Sequence, residues 1–301
     1  MAADHEGLKA EIARIYGTPA VVIDLDKVEA NIARLQAVCD AKGVANRPHI
    51  KTHKSPELAR LQIEAGARGI TCQKLGEAEV MADGGIDDIL ISYNILGEQK
   101  LGRLGHLQRR VPVTIAGLPQ AAEIAGRDLE VVVECDTGRQ RAGVETPGEA
   151  VELAKLIAGS KGLRFAGFLM YPPEDGWART QVFLDTANAG LREAGLEASI
   201  VSTGGSPNIP HIGELKGATE HRARSHAGRG RGGNAGGLRV DRLRDGGQPG
   251  RAGARHPRLR LQDADERFRR ARRPRPYPRI PRGAHREICR GARLPRSLGE
   301  Q

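Results

Sequence analysis

One lysine stands where an amine can act as a nucleophile. Lys51 follows the apolar residues of RPHIKTHK, residues 47–54. A lysine at the carboxyl end of a buried strand is partly desolvated, and desolvation lowers its pKa toward the neutral amine. A neutral amine can form a Schiff base with an aldehyde cofactor. The alternative is a solvated lysine in a basic loop that also contains His49, His53 and Lys54.

A second group of residues has the chemistry of an anion site. Ser202, Thr203, Gly204 and Gly205 end the apolar run SIVSTG and continue beyond it. The glycines let backbone N–H groups approach an anion closely, and the hydroxyls add donors. Neither a P-loop nor a dinucleotide fingerprint is present. The segment therefore predicts either a phosphate cup or a simple strand-to-loop turn.

Three more polar side chains occur at the ends of apolar runs. Gln73 ends GITCQ, Tyr171 ends FAGFLMY, and Arg141 lies in DTGRQRAG, which begins at Asp136. Arg141 is predicted either to meet a cofactor oxygen or to pair with Asp136 as a structural clamp. Tyr171 is predicted either to hydrogen-bond a ligand or to be a core tyrosine.

The scaffold that positions these side chains is predicted from periodicity. Residues 21–204 alternate nearly continuous apolar runs, typical of buried parallel strands, with amphipathic helices. This order predicts an α/β fold, and eight runs favour a (β/α)8 TIM-type barrel, in which chemistry gathers where strands end. The runs are VVIDL (21–25), RPHI (47–50), GITCQ (69–73), DILIS (88–92), VPVTI (111–115), EVVVECD (130–136), FAGFLMY (165–171) and SIVSTG (199–204).

Three helices are predicted from apolar faces and from start or stop signals. The predicted features are a face of Val28, Ile32, Leu35, Val38 and Cys39 ended by Gly43, a start at Thr146, Pro147 and Glu149, and a face of Val182, Phe183, Ala187 and Leu191.

The charge of the chain is divided unevenly. The whole chain carries +10, yet residues 224–301 contain 22 arginines, no lysine and seven acidic residues. The preceding residues are mildly acidic, which argues against nucleic acid as the partner of the main domain. We expect a cytoplasmic protein that does not bind membranes, because the sequence shows no apolar span or signal peptide and its four cysteines lack metal-binding spacing.

Six segments in one order point to a family. RPHIKTHK, TCQKLGEAE, ECDTGRQRAGV, GFLMYPP, VSTGGSP and ATEHRA resemble the D-threonine aldolase and D-serine dehydratase group of alanine-racemase-like, fold-type III pyridoxal-phosphate enzymes, over residues 17–222. The resemblance implies that Lys51 holds pyridoxal 5′-phosphate as the catalytic lysine. It also implies cofactor contacts from eight further residues, with Arg222 facing the pyridine nitrogen. These are Gln73, Arg141, Tyr171, Ser202, Thr203, Gly204, Gly205 and Arg222.

The resemblance also implies a reaction. The expected activity is a lyase acting on small-molecule D-3-hydroxy amino acids, with D-threonine aldolase as the first candidate and D-serine or D-3-hydroxyaspartate dehydratase as the alternative. Both reactions use a divalent metal that binds the substrate's β-hydroxyl. We expect no metal ligands in this chain, because the family carries them in a late segment that the chain replaces. A homodimer is expected for intact members.

The pattern of the family breaks after ATEHRA. We therefore predict two regions, a barrel at residues 1–222 and an unrelated, disordered Arg/Gly/Pro-rich tail at residues 223–301 in place of the family's β-domain. The few aromatic residues in the tail argue against RNA binding. The barrel is expected to be incomplete at its last strand, which would leave two free sheet edges.

A shifted reading frame is our interpretation of the tail. Permitted codons for HPRLRLQDADER, residues 256–267, read one base later as ILDSGSKTLTS, which is similar to the family's β-domain. Residues 226–229 and 234–248 behave in the same way. We expect this polypeptide to be poorly folded or inactive, and a non-catalytic pyridoxal-phosphate-binding protein is the remaining alternative.

Overall fold

The computed structural model describes residues 5–17, 21–117, 127–224 and 241–242. The chain divides into two compact units, residues 1–20 with 243–301 and residues 21–242. No described helix is both long and apolar enough to cross a bilayer.

The elements are α1 (His5–Tyr16), β1 (Val21–Val22), α2 (Leu25–Ala41), β2 (Ala45–Asn46), α3 (Pro56–Glu64), β3 (Ile70–Cys72), α4 (Leu75–Asp83), β4 (Ile89–Ile91), α5 (Glu98–Gln108), β5 (Val113–Gly117), β6 (Leu129–Cys135), α6 (Pro147–Gly159), β7 (Leu163–Met170), α7 (Trp177–Glu193), β8 (Ile200–Gly204), β9 (Glu220–Arg222) and β10 (Asp241–Arg242).

Eight parallel strands form the predicted barrel. Their order is β2-β9-β8-β7-β6-β5-β4-β3, so β2 and β3 stand at the two ends of the order. Backbone hydrogen bonds join these ends, from Arg68 N to Asn46 O at 2.9 Å and from Thr71 N to Pro48 O at 2.8 Å. His49 adds a parallel bridge to Thr71. The short segment after β2 therefore closes the ring.

Three strands differ from the sequence-based expectation. The predicted strand RPHI (47–50) follows the observed strand β2 (Ala45–Asn46) and contains only a bridge at His49 and the start of a 3₁₀ turn. The predicted strand VVIDL is reduced to β1, which pairs antiparallel with β10 and takes no part in the barrel. The eighth barrel strand is β9, which periodicity missed because its three residues, EHR, are polar. Although short, β9 pairs with both β8 and β2, so the two free edges expected of an incomplete barrel are paired here. The tail beyond residue 224 lies outside the described residues, apart from β10.

The helices follow their predicted signals with one exception. Gly43 ends α2 with a φ of +64°, and a complete capping box of Thr146 and Glu149 begins α6. On α7, Val182 is 66% exposed, so its assignment to the buried face was wrong. It neighbours Phe183, and adjacent helical residues point about 100° apart. The buried residues of α7 are Thr180, Phe183, Leu184, Ala187 and Leu191.

The core has two layers that follow from strand alternation. In β4, Ile89 and Ile91 belong to the large cluster that includes helix residues, whereas Leu90 belongs to a separate cluster formed only by strand residues. Successive strand residues point to opposite faces, so this second cluster fills the barrel interior. Its members are Leu90, Ala116, Val132, Ala166, Leu169 and Ile200.

A bulge in β7 places a glycine against β8. The pairing of β6 with β7 skips Ala166, and Gly167 then has a φ of +142°. A Cβ at Gly167 would lie 1.9 Å from the backbone oxygen of Ile200. Only a residue without a side chain allows the two strands to approach so closely.

We predict that Gly167→Ala lowers the free energy of unfolding by at least about 2 kcal/mol, because the backbone must move and the positive φ is strained. Gly148→Ala in α6 is the matched control, since a Cβ there meets nothing within 4 Å. Urea unfolding of both variants checks the prediction. Equal stabilities would show that the bulge is not constrained as described.

Candidate active site

A cavity of about 250 Å³ opens at the carboxyl ends of the barrel strands. Side chains that follow β2, β3, β4, β6, β7, β8 and β9 converge on it. This convergence is what a parallel barrel produces at that end. The lining residues are His49, Lys51, Gln73, Ser92, Glu134, Arg141, Leu169, Tyr171, Gly204, Gly205, Ser206, Arg222 and Arg224.

Lys51 lies half-buried in this cavity. It is carried by a 3₁₀ turn, Ile50–Thr52, and its Nζ lies 3.4 Å from Oε1 of Gln73. Burial lowers the pKa of Lys51 below its ordinary value of 10.5, and the guanidinium of Arg141 lowers it further. The neutral, nucleophilic amine is therefore more populated at neutral pH than it is for a solvated lysine.

Arg222 is held rigidly in the barrel wall. It is 7% exposed, and its guanidinium donates from Nη1 to Oγ of Ser202 at 2.5 Å and from Nη2 to the backbone oxygen of Met170 at 3.0 Å. Burial lowers its pKa to about 10, and the carboxylate of Glu220 opposes that shift. Arg222 is thus a fixed cation at neutral pH, with one edge on the cavity.

Two arginines of the loop that follows β6 pack on the ring of Tyr171. The guanidinium of Arg139 lies 4.1 Å from the centre of the Tyr171 ring, and that of Arg141 lies 5.5 Å from it. Behind the ring, a Cβ on Gly205 would lie 2.1 Å from Cε2 of Tyr171. Gly205 has a φ of +108°, so a glycine is required there both by conformation and by space.

Asp136 shapes that loop through the backbone. Its carboxylate accepts hydrogen bonds from the N–H groups of Gly138 at 2.8 Å, Gln140 at 3.0 Å and Arg141 at 2.5 Å. Asp136 thus binds the backbone N–H of Arg141 and not its guanidinium, and the Arg141 side chain lines the cavity instead of forming the alternative clamp.

The predicted phosphate cup is brought only partly to the cavity. Gly204 and Gly205 line it together with Ser206. Ser202 and Thr203 are buried, and their hydroxyls contact other protein groups: Ser202 Oγ donates to Oε1 of Glu220 at 2.5 Å, and Thr203 Oγ1 lies 2.9 Å from Nδ1 of His221. A phosphate role for these two hydroxyls stays a prediction.

Several lining residues were missed by the sequence analysis. His49, which appeared only in the alternative of a solvated basic loop, is 8% exposed, and burial lowers its pKa to about 3. Glu134 and Ser92 lie two residues beyond the interior positions Val132 and Leu90. Strand alternation could have found both of them. Arg224, Ser206 and Leu169 carried no signal in the sequence.

The resemblance places the family's metal ligands in a late segment that we expect this chain to replace. In the ranges that the structure describes, no three His, Cys, Asp or Glu side chains are grouped as metal ligands. The replaced segment itself lies outside those ranges.

The protein is a parallel β/α barrel with a lysine-bearing cavity at the carboxyl ends of its strands. Comparisons with known proteins name its family. Residues 23–266 match the model for the alanine racemase N-terminal domain, and the chain belongs to that family. This confirms the resemblance drawn from the six ordered segments.

The relatives include several enzymes. A D-threonine aldolase of Arthrobacter sp. is 35% identical over 235 residues, which is 72% of this chain and 62% of that protein. A D-threo-3-hydroxyaspartate dehydratase of Delftia sp. is 36% identical over 227 residues, 68% of this chain and 60% of that protein. The crystal structure of the D-threonine aldolase of Filomicrobium marinum superposes with a TM-score of 0.65 at 32% identity, covering 70% of this chain and 62% of that one. The chain thus spans about six-tenths of the length of these relatives.

We predict that the rate of acylation of Lys51 rises with pH along a curve whose midpoint lies below 10.5. Arg141→Gln should move that midpoint upward, because it removes a positive charge that disfavours the ammonium form. Arg164→Gln is the control, since Arg164 is exposed and bonds Glu130 at the start of β7. Competitive acylation read by mass spectrometry measures the midpoints, and an unmoved midpoint in Arg141→Gln would contradict the electrostatic account.

Proposed function

We propose that this protein is a pyridoxal-phosphate-dependent lyase of D-3-hydroxy amino acids, with D-threonine aldolase as the first candidate. The observation that supports it most is the half-buried Lys51, whose pKa is lowered, in a cationic cavity at the strand ends. The aldolase and dehydratase relatives support the substrate class.

The cavity fits the chemistry of the cofactor. Pyridoxal phosphate carries an aldehyde, a flat aromatic ring and a doubly charged phosphate. The lining offers four cationic side chains, Lys51, Arg141, Arg222 and Arg224, and one carboxylate, Glu134. Burial raises the pKa of Glu134, which disfavours its charged form and so reduces its repulsion of a bound anion. On charge, the site favours a phosphate ester.

Each residue then has a defined task. Lys51 would hold the cofactor covalently, with Gln73 beside its Nζ. Arg222 would face the ring nitrogen as a fixed cation, and Tyr171 would line the ring. The bound cofactor supplies an electron sink for the carbanion that forms at the substrate's Cα. When its Nζ is free, Lys51 can accept a proton, because burial lowers its pKa below 10.5 and thereby populates the neutral amine.

A dehydratase of D-serine or D-3-hydroxyaspartate is the second candidate. The Delftia relative named as a D-threo-3-hydroxyaspartate dehydratase matches as closely as the aldolase does, at 36% identity. The two activities differ in the bond that breaks at the substrate, Cα–Cβ in the aldolase and Cα–H in the dehydratase. Product analysis separates them. An aldolase releases glycine and an aldehyde, whereas a dehydratase releases a 2-oxo acid and ammonia.

We predict that Lys51→Ala abolishes both the Schiff-base absorption band that forms when pyridoxal phosphate is added and the mass adduct that borohydride fixes on the protein, because no other amine takes that position. Lys155→Ala is the control, since Lys155 bonds Glu152 on the exposed side of α6. Peptide mapping should find the adduct on Lys51, and D-threonine should then yield glycine. An adduct spread over several lysines would contradict the assignment, and an adduct on Lys51 without turnover would favour the non-catalytic alternative.

We further propose that residues after about 223 are read in a shifted frame and that the intact gene encodes a homodimer. The arginine-rich, lysine-free composition of residues 224–301 supports the first part. Sequencing the genomic DNA around codon 223 tests it, and sedimentation of the protein from the corrected frame tests the second. An unchanged frame would make the tail a genuine feature of this chain.

A further inference from the structure

A buried histidine lies between the strand that closes the barrel and the lysine turn. His49 is 8% exposed and precedes the 3₁₀ turn that carries Lys51. Its backbone bridges both Thr71 and Arg224, so its main chain is fixed on two sides. A histidine with its backbone held in this way has few positions for its ring, and the ring lines the same cavity as Lys51.

Both ring nitrogens of His49 have partners. Nδ1 lies 3.4 Å from the backbone nitrogen of Lys51, and Nε2 lies 3.4 Å from Oγ of Ser92. Oγ of Ser92 in turn lies 3.3 Å from the backbone oxygen of Cys72. These contacts form one chain that runs from the end of β3, through the end of β4, to the turn that carries Lys51.

The direction of this chain fixes the tautomer of the ring. The N–H of Lys51 can only donate, so Nδ1 of His49 must accept. A neutral imidazole then carries its proton on Nε2, which donates to Oγ of Ser92. The Ser92 hydroxyl keeps its own proton for the carbonyl oxygen of Cys72. Every donor therefore finds an acceptor, and the opposite tautomer would leave two N–H groups facing each other.

We propose that His49, which accepts from the Lys51 N–H through Nδ1 and is anchored to Ser92 through Nε2, is a positioning residue that holds the lysine turn and thereby aims Nζ of Lys51 into the cavity. The inference rests on the proposed function in one respect, namely that Lys51 is the residue that takes the cofactor.

Burial and the surrounding positive charges keep the His49 ring neutral, which is the form that can accept from the Lys51 N–H. Burial lowers its pKa to about 3, and the positive charges of Lys51 and Arg222 lower it further, whereas hydrogen bonding with Gln73 and with the backbone of Thr71 opposes them. A protonated ring would lose its acceptor and would add a cation beside Lys51. The contact from Nδ1 to the Lys51 N–H is therefore maintained throughout the neutral pH range.

Two amide substitutions separate the two ring nitrogens. In His49→Asn, the amide oxygen falls near the position of Nδ1 and can still accept from the Lys51 N–H. In His49→Gln, the amide nitrogen falls near Nε2 and can still donate to Ser92, but the acceptor for Lys51 is lost. Ser92→Ala removes the partner that anchors Nε2 and leaves His49 in place, so it tests the same chain of contacts without altering the histidine.

The measurement is competitive acylation of Lys51 without cofactor, followed by borohydride fixation with pyridoxal phosphate. We expect His49→Asn to keep the acylation rate at pH 8 within about twofold of the wild type. His49→Gln and Ser92→Ala should lower it about fivefold or more, because a looser turn lets the amine return to water and its pKa rise. Urea unfolding of all variants reports stability separately.

The outcomes distinguish the two proposals. Equal rates in His49→Asn and His49→Gln would overturn the positioning role, because a merely structural histidine makes no distinction between its two nitrogens. If both variants fail to fold, an unchanged rate in Ser92→Ala overturns the role, and a lowered rate supports it. If the acylation pattern is as expected but the wild type fixes no pyridoxal phosphate, the proposed function fails and the positioning role stands.

Discussion

The cavity wall of the barrel depends on one buried carboxylate, whose charge is balanced by hydrogen-bonded partners. Glu220 is fully buried in β9, where an isolated charge would be very costly. Its Oε2 accepts a hydrogen bond from Nε of Arg47 at 2.7 Å, and its Oε1 accepts one from Oγ of Ser202. The same Oγ accepts a hydrogen bond from Nη1 of Arg222. Arg47 precedes the lysine turn, and Ser202 lies in β8, so one carboxylate ties together three strands that bear the cavity. A buried network of this kind orders its members only when each of them is paired.

Much of this architecture could be predicted from the sequence, because it rests on local periodicity. Apolar runs located β3 to β8, and the capping residues at Thr146 and Glu149 located the start of α6. The last strand escaped prediction, since Glu220, His221 and Arg222 are polar and are buried only through partners distant in sequence. VVIDL was misassigned for the opposite reason, because its apolar residues satisfy the pattern of a barrel strand without pairing with one.

The placement of Lys51 in the cavity was predictable, because this residue directly follows an apolar run. The site was less predictable where a role depends on contacts. The hydroxyls of Ser202 and Thr203 looked like anion donors, yet they contact Glu220 and His221 in the wall of the barrel. The neutral state of His49 could not be inferred, since it follows mainly from burial, which depends on contacts with residues distant in the sequence. Contacts that decide protonation are tertiary, and periodicity carries no information about them.

Ring closure has a consequence for the order in which the chain folds. The segment that closes the barrel, Ala45–His49, pairs with β9, some 175 residues later in the chain. A protein emerges from the ribosome with its N-terminal end first, and such distant pairings form late. The turn that carries Lys51 therefore cannot take its final shape until the ribosome has released the chain beyond Arg222. Lys51, the proposed cofactor lysine, is synthesised well before β9, the strand that completes its surroundings.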